Sequence, residues 1–294
     1  MSTAEPRYCY RHPDRETGLS CSECGRPICA DCATFASVGI RCPDHAGAQG
    51  GKKPRQIKPP AVRRAPGISL ATASAPVTKA LIAINVAIYL ITVVQGFGLN
   101  NPGGSLYVHW LLFGPLVPHG GWYRLVTAMF LHGFLLHLVF NMAALWFIGA
   151  PVEQYLGRAR YIGLYFVSGL AGSAGALLAT PTQPVVGASG AIFGVLGSMM
   201  ILEWQVTGRL AGQAMTLIVI NLVFNFAFNG LGGSISIGGH IGGLIGGILI
   251  TLGYAHWRGG RAEYGKLGLG GIVGLVAVAA GSVAIAYFQV RGYA

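Results

Sequence analysis

From Ala80 onward, long apolar runs alternate with short breaks that carry most of the polar side chains in that part of the chain. A helix needs about twenty residues to cross the hydrocarbon core of a bilayer. Seven runs approach that length, near 79–95, 130–150, 160–179, 189–204, 212–228, 237–256 and 268–288. They predict an all-α polytopic membrane protein. The third and sixth are rich in glycine, which lowers their hydropathy but allows close helix packing. Before residue 79 the pattern is absent. Residues 1–46 hold few large apolar side chains, and residues 47–78 are dominated by Gly, Pro, Lys and Arg, the composition of a disordered basic linker.

Charged residues make up 10% of the chain, against about a quarter in soluble domains, so the body is no ordinary soluble globule. Twelve of the 20 Lys and Arg precede residue 80, concentrating positive charge beside the first span. Anionic lipid is the expected partner of that charge; nucleic acid is not, because no basic helix or aromatic-basic stripe accompanies it. Basic residues also set the orientation. The linker, Arg158 with Arg160, Arg209, and Arg258 with Arg261 and Lys266 occupy every second connection, while Gln95 to Trp122, Pro181 to Gly187 and Asn229 to Ser236 carry none. The expectation is a multi-pass cell-membrane protein with a cytoplasmic N-terminus and an outer C-terminus.

All six cysteines lie between Cys9 and Cys42, and with two histidines they form four x-x-spaced pairs: Cys9 with His12, Cys21 with Cys24, Cys29 with Cys32, and Cys42 with His45. Reduced cytosolic thiols favour metal over disulfides. Eight soft ligands suit two closed tetrahedral zinc sites, and so small a fold needs such staples. A redox Cys-x-x-Cys and an unstructured tail are the alternatives. The alternation resembles the B-box type zinc finger, which implies one zinc on Cys9, His12, Cys29 and Cys32 and a second on Cys21, Cys24, Cys42 and His45. Such a module is structural or binds a cytosolic protein partner.

Polar groups inside spans are costly and need explanation. His132, His137 and Asn141 stand on the second run, Ser189 on the fourth and His240 on the sixth. Under the orientation above, all lie near the outer ends of spans running the same way, so they can meet at one depth. His137 and Asn141, four apart, share a helix face; His132 falls about 140° around that helix. Beyond Asp44 there is no aspartate, and Glu153, Glu203 and Glu263 fall in or beside cytosolic connections. If Ser189 is a nucleophile, it therefore works with His240 as a dyad, and oxyanion donors would be the Ser189 amide, His137 and Asn141. Gly187 and Gly190 leave room for a substrate backbone. The plainer alternative is that Gly-Ala-Ser-Gly and the Gly239, Gly243, Gly247 face only pack helices.

These residues resemble the rhomboid family of intramembrane serine proteases. The nucleophile motif appears as Gly187-Ala188-Ser189-Gly190, the His-x4-His-x3-Asn motif as His132, His137 and Asn141, and the second catalytic motif as His240 with Gly243. The first outer connection carries a tryptophan-arginine segment in which Tyr123 separates Trp122 from Arg124. The resemblance covers roughly 79–257 and implies a six-helix core, with the last span, in 258–294, an addition. It also implies a Ser189/His240 dyad beneath an outer opening, with Phe193 packed against the histidine, and His132, Arg124, Gly187, Gly190 and Gly243 in supporting roles. The implied substrate is a transmembrane segment of another protein. The competing reading is a non-catalytic membrane-protein binder using the zinc module as an adaptor; a channel with a polar core explains the glycines but not the dyad.

Overall fold

The structure, a computed structural model, describes residues 6–36, 39–46, 75–230, 235–258, 261–264 and 267–294. The linker expected over 47–78 falls mostly on 47–74, outside the described residues. The chain divides into two compact units, residues 1–63 and 64–294.

In the first unit, β1 (Tyr8–Cys9) pairs antiparallel with β2 (His12–Glu16), β3 (Thr34–Phe35) pairs with β4 (Ile40–Arg41), and α1 (Pro43–Ala46) follows. Its core is Ile28 and five of the six cysteines. With so little apolar area to bury, elements this short cannot hold together by packing alone.

The second unit is helical. Helix α2 (Pro76–Gln95) is followed by a long connection containing the short helices α3 (Gly104–Trp110) and α4 (Arg124–Thr127). Helix α5 (Leu135–Ala144) continues through a π-helical turn, Leu145–Gly149, into α6 (Ala150–Leu156), and together they make one span. Then come α7 (Arg158–Ala179), α8 (Ser189–Thr207), α9 (Gln213–Gly230), α10 (Ile237–Tyr254), the hairpin β5 (His256–Arg258) and β6 (Arg261–Glu263), and α11 (Leu269–Val290). Among the described residues, six helices are long and apolar enough to cross a membrane: α2, α5 with α6, α7, α8, α10 and α11 with its terminal turn. The remaining expected span, 212–228, falls on α9, whose described apolar stretch is Gln213–Phe224.

The second span begins five residues later than its hydropathy suggests. Gly133 and an extended Phe134, with φ −166° and ψ 165°, precede α5, so His132 lies in an irregular segment and not on the helix. The expected 140° offset of His132 around that helix therefore does not apply.

Glycine explains how the core closes. On α10, a Cβ on Gly243 or Gly247 would collide with the carbonyl oxygens of Gly190 or Gly194 on α8. One residue round the helix, a Cβ on Gly238 would stand 2.5 Å from the Gly175 carbonyl oxygen of α7, and one on Gly242 would strike that of Ala171. Helix α10 thus presents two glycine ridges and sits backbone to backbone between α7 and α8. Small residues permit this approach where lipid offers no hydrophobic drive for helix association.

Two buried glutamates tie helix ends. Glu153 accepts hydrogen bonds from the Val77 amide (3.0 Å) and from the Thr78 amide and hydroxyl (both 2.8 Å), capping α2, whose own N-cap is Ala75. Glu203 accepts from the Ala214 amide at 3.1 Å at the start of α9. Each carboxylate satisfies helix-terminal N–H groups that otherwise lack partners.

Candidate active site and metal centres

Ser189 is the first residue of α8, His240 the fourth of α10 and His137 the third of α5, so all three stand near helix N-termini. The Ser189 Oγ and His240 Nε2 are 2.8 Å apart, hydrogen-bond distance for a hydroxyl donating to an imidazole. Phe193, one turn after Ser189, stacks on the His240 ring with centroids 4.2 Å apart and planes 7° from parallel. The contact fixes the ring that the glycine ridge brings to α8.

Gly187 carries the loop into α8 with φ +130°, a conformation that side chains strongly disfavour. Its amide donates to the Ala128 carbonyl at 2.9 Å. A Cβ here would lie 2.8 Å from both Cε1 and Nε2 of His137 and 3.6 Å from Ser189 Oγ. The imidazole edge of His137 and the serine hydroxyl therefore flank one small space. The Gly133 amide approaches His137 Nδ1 at 3.5 Å; an Nδ1 that accepts leaves the proton of a neutral imidazole on Nε2, facing that space. Asn141 is buried and donates from Nδ2 to the His137 carbonyl at 3.0 Å, so its amide group lies one turn deeper on the same face. At the start of α8, the Ser189 amide lacks an intrahelical acceptor. A site with a paired hydroxyl and imidazole beside N–H donors can carry acyl transfer.

His132 is fully buried, edge-on to Tyr89 (centroids 6.5 Å) and to His137 (5.1 Å). It packs behind His137 and does not reach Ser189. Arg124 is also buried, and its Nη1 donates to the Val108 and Leu111 carbonyls, both at 2.8 Å. It closes the C-terminal end of α3 and so shapes the connection above the site. Gly190 and Gly243 face each other across the α8–α10 contact, where they bring the two helices together. Sequence reasoning missed Ala128 and Gly133, whose backbone groups contact Gly187 and His137, because backbone roles leave no residue signature. It also missed Glu153 as a cap; an uncapped Ala75 before Pro76 is the signal that a donor set there needs a distant acceptor.

In the first unit, the ligand atoms of Cys9, His12, Cys29 and Cys32 converge within 4.8 Å of one another, and those of Cys21, Cys24, Cys42 and His45 do the same. These two sets could each hold a metal ion. His12 Nδ1 lies 3.8, 3.4 and 3.3 Å from the sulfurs of Cys9, Cys29 and Cys32. Cys24 and Cys42 sulfurs are 3.8 Å apart, which equals the edge of about 3.8 Å in a tetrahedron with zinc–sulfur bonds near 2.3 Å. Every cysteine is free of disulfides. Burial opposes ionisation of Cys9, but backbone N–H groups of Cys29 and Arg11 hold its thiol down to about 6, toward the thiolate a metal requires. Beside the second set, Asp44 accepts from the Tyr10 hydroxyl (2.9 Å) and from Arg11 (2.8 Å), and this hydrogen bonding keeps its carboxyl below the usual range.

Residues 119–257 match the family model described as Rhomboid domain. Rhomboid protease GluP of Bacillus subtilis (strain 168) is 31% identical over 151 residues, covering 50% of this chain and 29% of that protein. RHOMBOID-like protein 5 of Arabidopsis thaliana is 43% identical over 111 residues, 36% of each chain. Inactive RHOMBOID-like protein 8 of the same plant is 37% identical over 78 residues, 26% of this chain and 22% of that one. The chain spans well under two thirds of the length of these relatives. The matches support the rhomboid family, and the family model covers the stretch that contains Ser189 and His240.

Proposed function

We propose that the chain is an intramembrane serine endopeptidase that cleaves transmembrane segments of other membrane proteins. The observation that carries this reading is the 2.8 Å pairing of Ser189 Oγ with His240 Nε2, inside a stretch matched by the Rhomboid domain. In the proposed mechanism, Ser189 Oγ attacks the scissile carbonyl carbon while His240 Nε2 takes its proton. The carbonyl oxygen, now carrying the charge, receives N–H donors from the Ser189 amide, His137 and Asn141. Collapse breaks the C–N bond, His240 protonates the leaving amine, and a water activated by the same imidazole releases the acyl chain from Ser189. Gly187 leaves the space that a substrate carbonyl would fill, and Phe193 keeps the imidazole aimed at Ser189.

The same reading gives the chain a place in the cell membrane, with the N-terminus cytoplasmic and the site opening toward the outer face, supported by the alternation of basic connections. Its parts are a zinc-binding domain (1–46), a basic linker (47–78), the protease core (79–257) and a C-terminal transmembrane helix (258–294). Zinc fits both Cys3His sets as a structural ion and supplies no step of catalysis; there it would hold the loops of the small domain, leaving its surface for a cytosolic partner. One relative is named inactive, which favours weighing a non-catalytic binder. The short Ser189–His240 hydrogen bond is what a binder would not need.

Labelling of the purified protein with a fluorophosphonate decides between them. The wild type is expected to label, and Ser189→Ala and His240→Ala are expected to lose both labelling and cleavage while staying folded. Cleavage retained by folded Ser189→Ala, or a folded wild type that neither labels nor cleaves a panel of membrane substrates, overturns the proposal.

A further inference from the structure

Helix α11 lies outside the Rhomboid-matched residues, yet it shares a buried core with the connection that surrounds the site. Its Ala286 and Val290 are fully buried in one cluster with Leu112, Val117, Leu125 and Ala128 of the α2–α5 connection. The Tyr287 ring stacks on Trp122, with centroids 6.5 Å apart and planes 20° from parallel. His119 Nε2 donates to the Tyr293 carbonyl at 3.0 Å, and Gln289 Nε2 donates to the Leu178 carbonyl at 3.2 Å at the end of α7.

That same connection grips the loop leading to Ser189 at two points. Leu112 and Val185 exchange both backbone hydrogen bonds, at 3.0 and 2.8 Å, and Ala128 accepts from the Gly187 amide at 2.9 Å. Leu112 and Ala128, the two gripping residues, both belong to the cluster that α11 completes. A continuous packed path therefore runs from α11 through the connection to the backbone that sets Gly187 and Ser189.

We propose that α11 is a positioning element for the Ser189 loop, with the Trp122–Tyr287 stack and the His119–Tyr293 hydrogen bond as its contacts. The functional consequence rests on the proteolytic reading; the mechanical claim does not. Tyr287 is half exposed on the apolar flank of α11, so Tyr287→Leu keeps a lipid-compatible side chain while removing the stack on Trp122 and an edge contact with Phe288 within α11 itself. Tyr287→Phe keeps the stack.

The deciding readout is hydrogen–deuterium exchange of residues 183–190 in the full chain. Exchange there is expected to quicken in Tyr287→Leu, to return to the wild-type rate in Tyr287→Phe, and to quicken less in His119→Ala. Fluorophosphonate labelling of Ser189 is expected to slow by about threefold to tenfold in Tyr287→Leu. Unchanged exchange of 183–190 in folded Tyr287→Leu overturns the proposal. Should that variant not fold, His119→Ala, at an exposed side chain, is judged by the same criterion. A folded wild type that neither labels nor cleaves would defeat the proteolytic reading only, and exchange would still decide the role of α11.

Discussion

Gly187 excludes a side chain twice, through a φ of +130° and through the His137 ring 2.8 Å from where its Cβ would stand. The strain alone is worth about 1–3 kcal/mol, and relieving it moves either the loop or the imidazole. Gly187→Ala is therefore expected to lower the melting temperature and to slow fluorophosphonate labelling by at least about tenfold, since misplacing reacting groups by about 1 Å costs up to about a hundredfold. Labelling at the wild-type rate would show that this space is not used. At this scale Ser189, His240, His137 and Asn141 stand out in the sequence as polar groups in apolar runs, and the structure brings the first three to one small space. The sequence misled at His132, because hydropathy continues smoothly through Leu131 while Gly133 and Phe134 break the helix. Arg124 entered the sequence reading only through the family resemblance, and that it satisfies the carbonyls of Val108 and Leu111 depends on how the connection folds back, which no local pattern encodes.

Among the elements, α10 decides whether His240 reaches Ser189. Its ridge of Gly243 and Gly247 against α8 leaves no room for a methyl group. Gly243→Ala must push α10 away from Gly190, and the 2.8 Å Ser189–His240 hydrogen bond lies one turn away. Loss of labelling with retained helical circular dichroism is expected, whereas Gly281→Ala on α11, where nothing lies within 4 Å of the added Cβ, should label normally. Equal labelling by the two variants would contradict the packing argument. Six of the seven expected spans were readable from apolar run length, while the run at 212–228 falls on α9, whose described apolar stretch, Gln213–Phe224, is shorter; the Gly243–Gly247 ridge of α10 was readable from its spacing of four, but the Gly238–Gly242 ridge against α7 was not. The π-helical turn within the second span and the short helices α3 and α4 were not, because both arise from tertiary fit within stretches that lack a distinguishing period.

For the whole molecule, the cysteine-rich unit and the helical unit have separate cores. Removing residues 1–50 is expected to leave Ser189 labelling intact while changing which membrane substrates are cut, and chelation should strip about two metal ions per chain by elemental analysis without altering labelling. A well-folded truncation that no longer labels would tie catalysis to the finger. The two Cys/His sets were legible from their recurring x-x spacing, and the existence of two units from the abrupt change in apolar content.

The positions of the acidic residues carry one more consequence. Glu203 is fourteen residues beyond Ser189 on α8, about 21 Å along the axis, and Glu153 is bound to the start of α2. The proposed site thus works without a formal charge of its own, and the proton that leaves Ser189 travels no farther than the 2.8 Å to His240. That is under a tenth of a hydrocarbon core about 30 Å thick, and one full charge crossing it feels about 2.3 kcal/mol per 100 mV. The transmembrane voltage can therefore bias the proton transfer by only about 0.2 kcal/mol per 100 mV. In proteoliposomes, cleavage should run at the same rate with and without an imposed potassium diffusion potential, so an enzyme of this design would keep cutting in a de-energised cell.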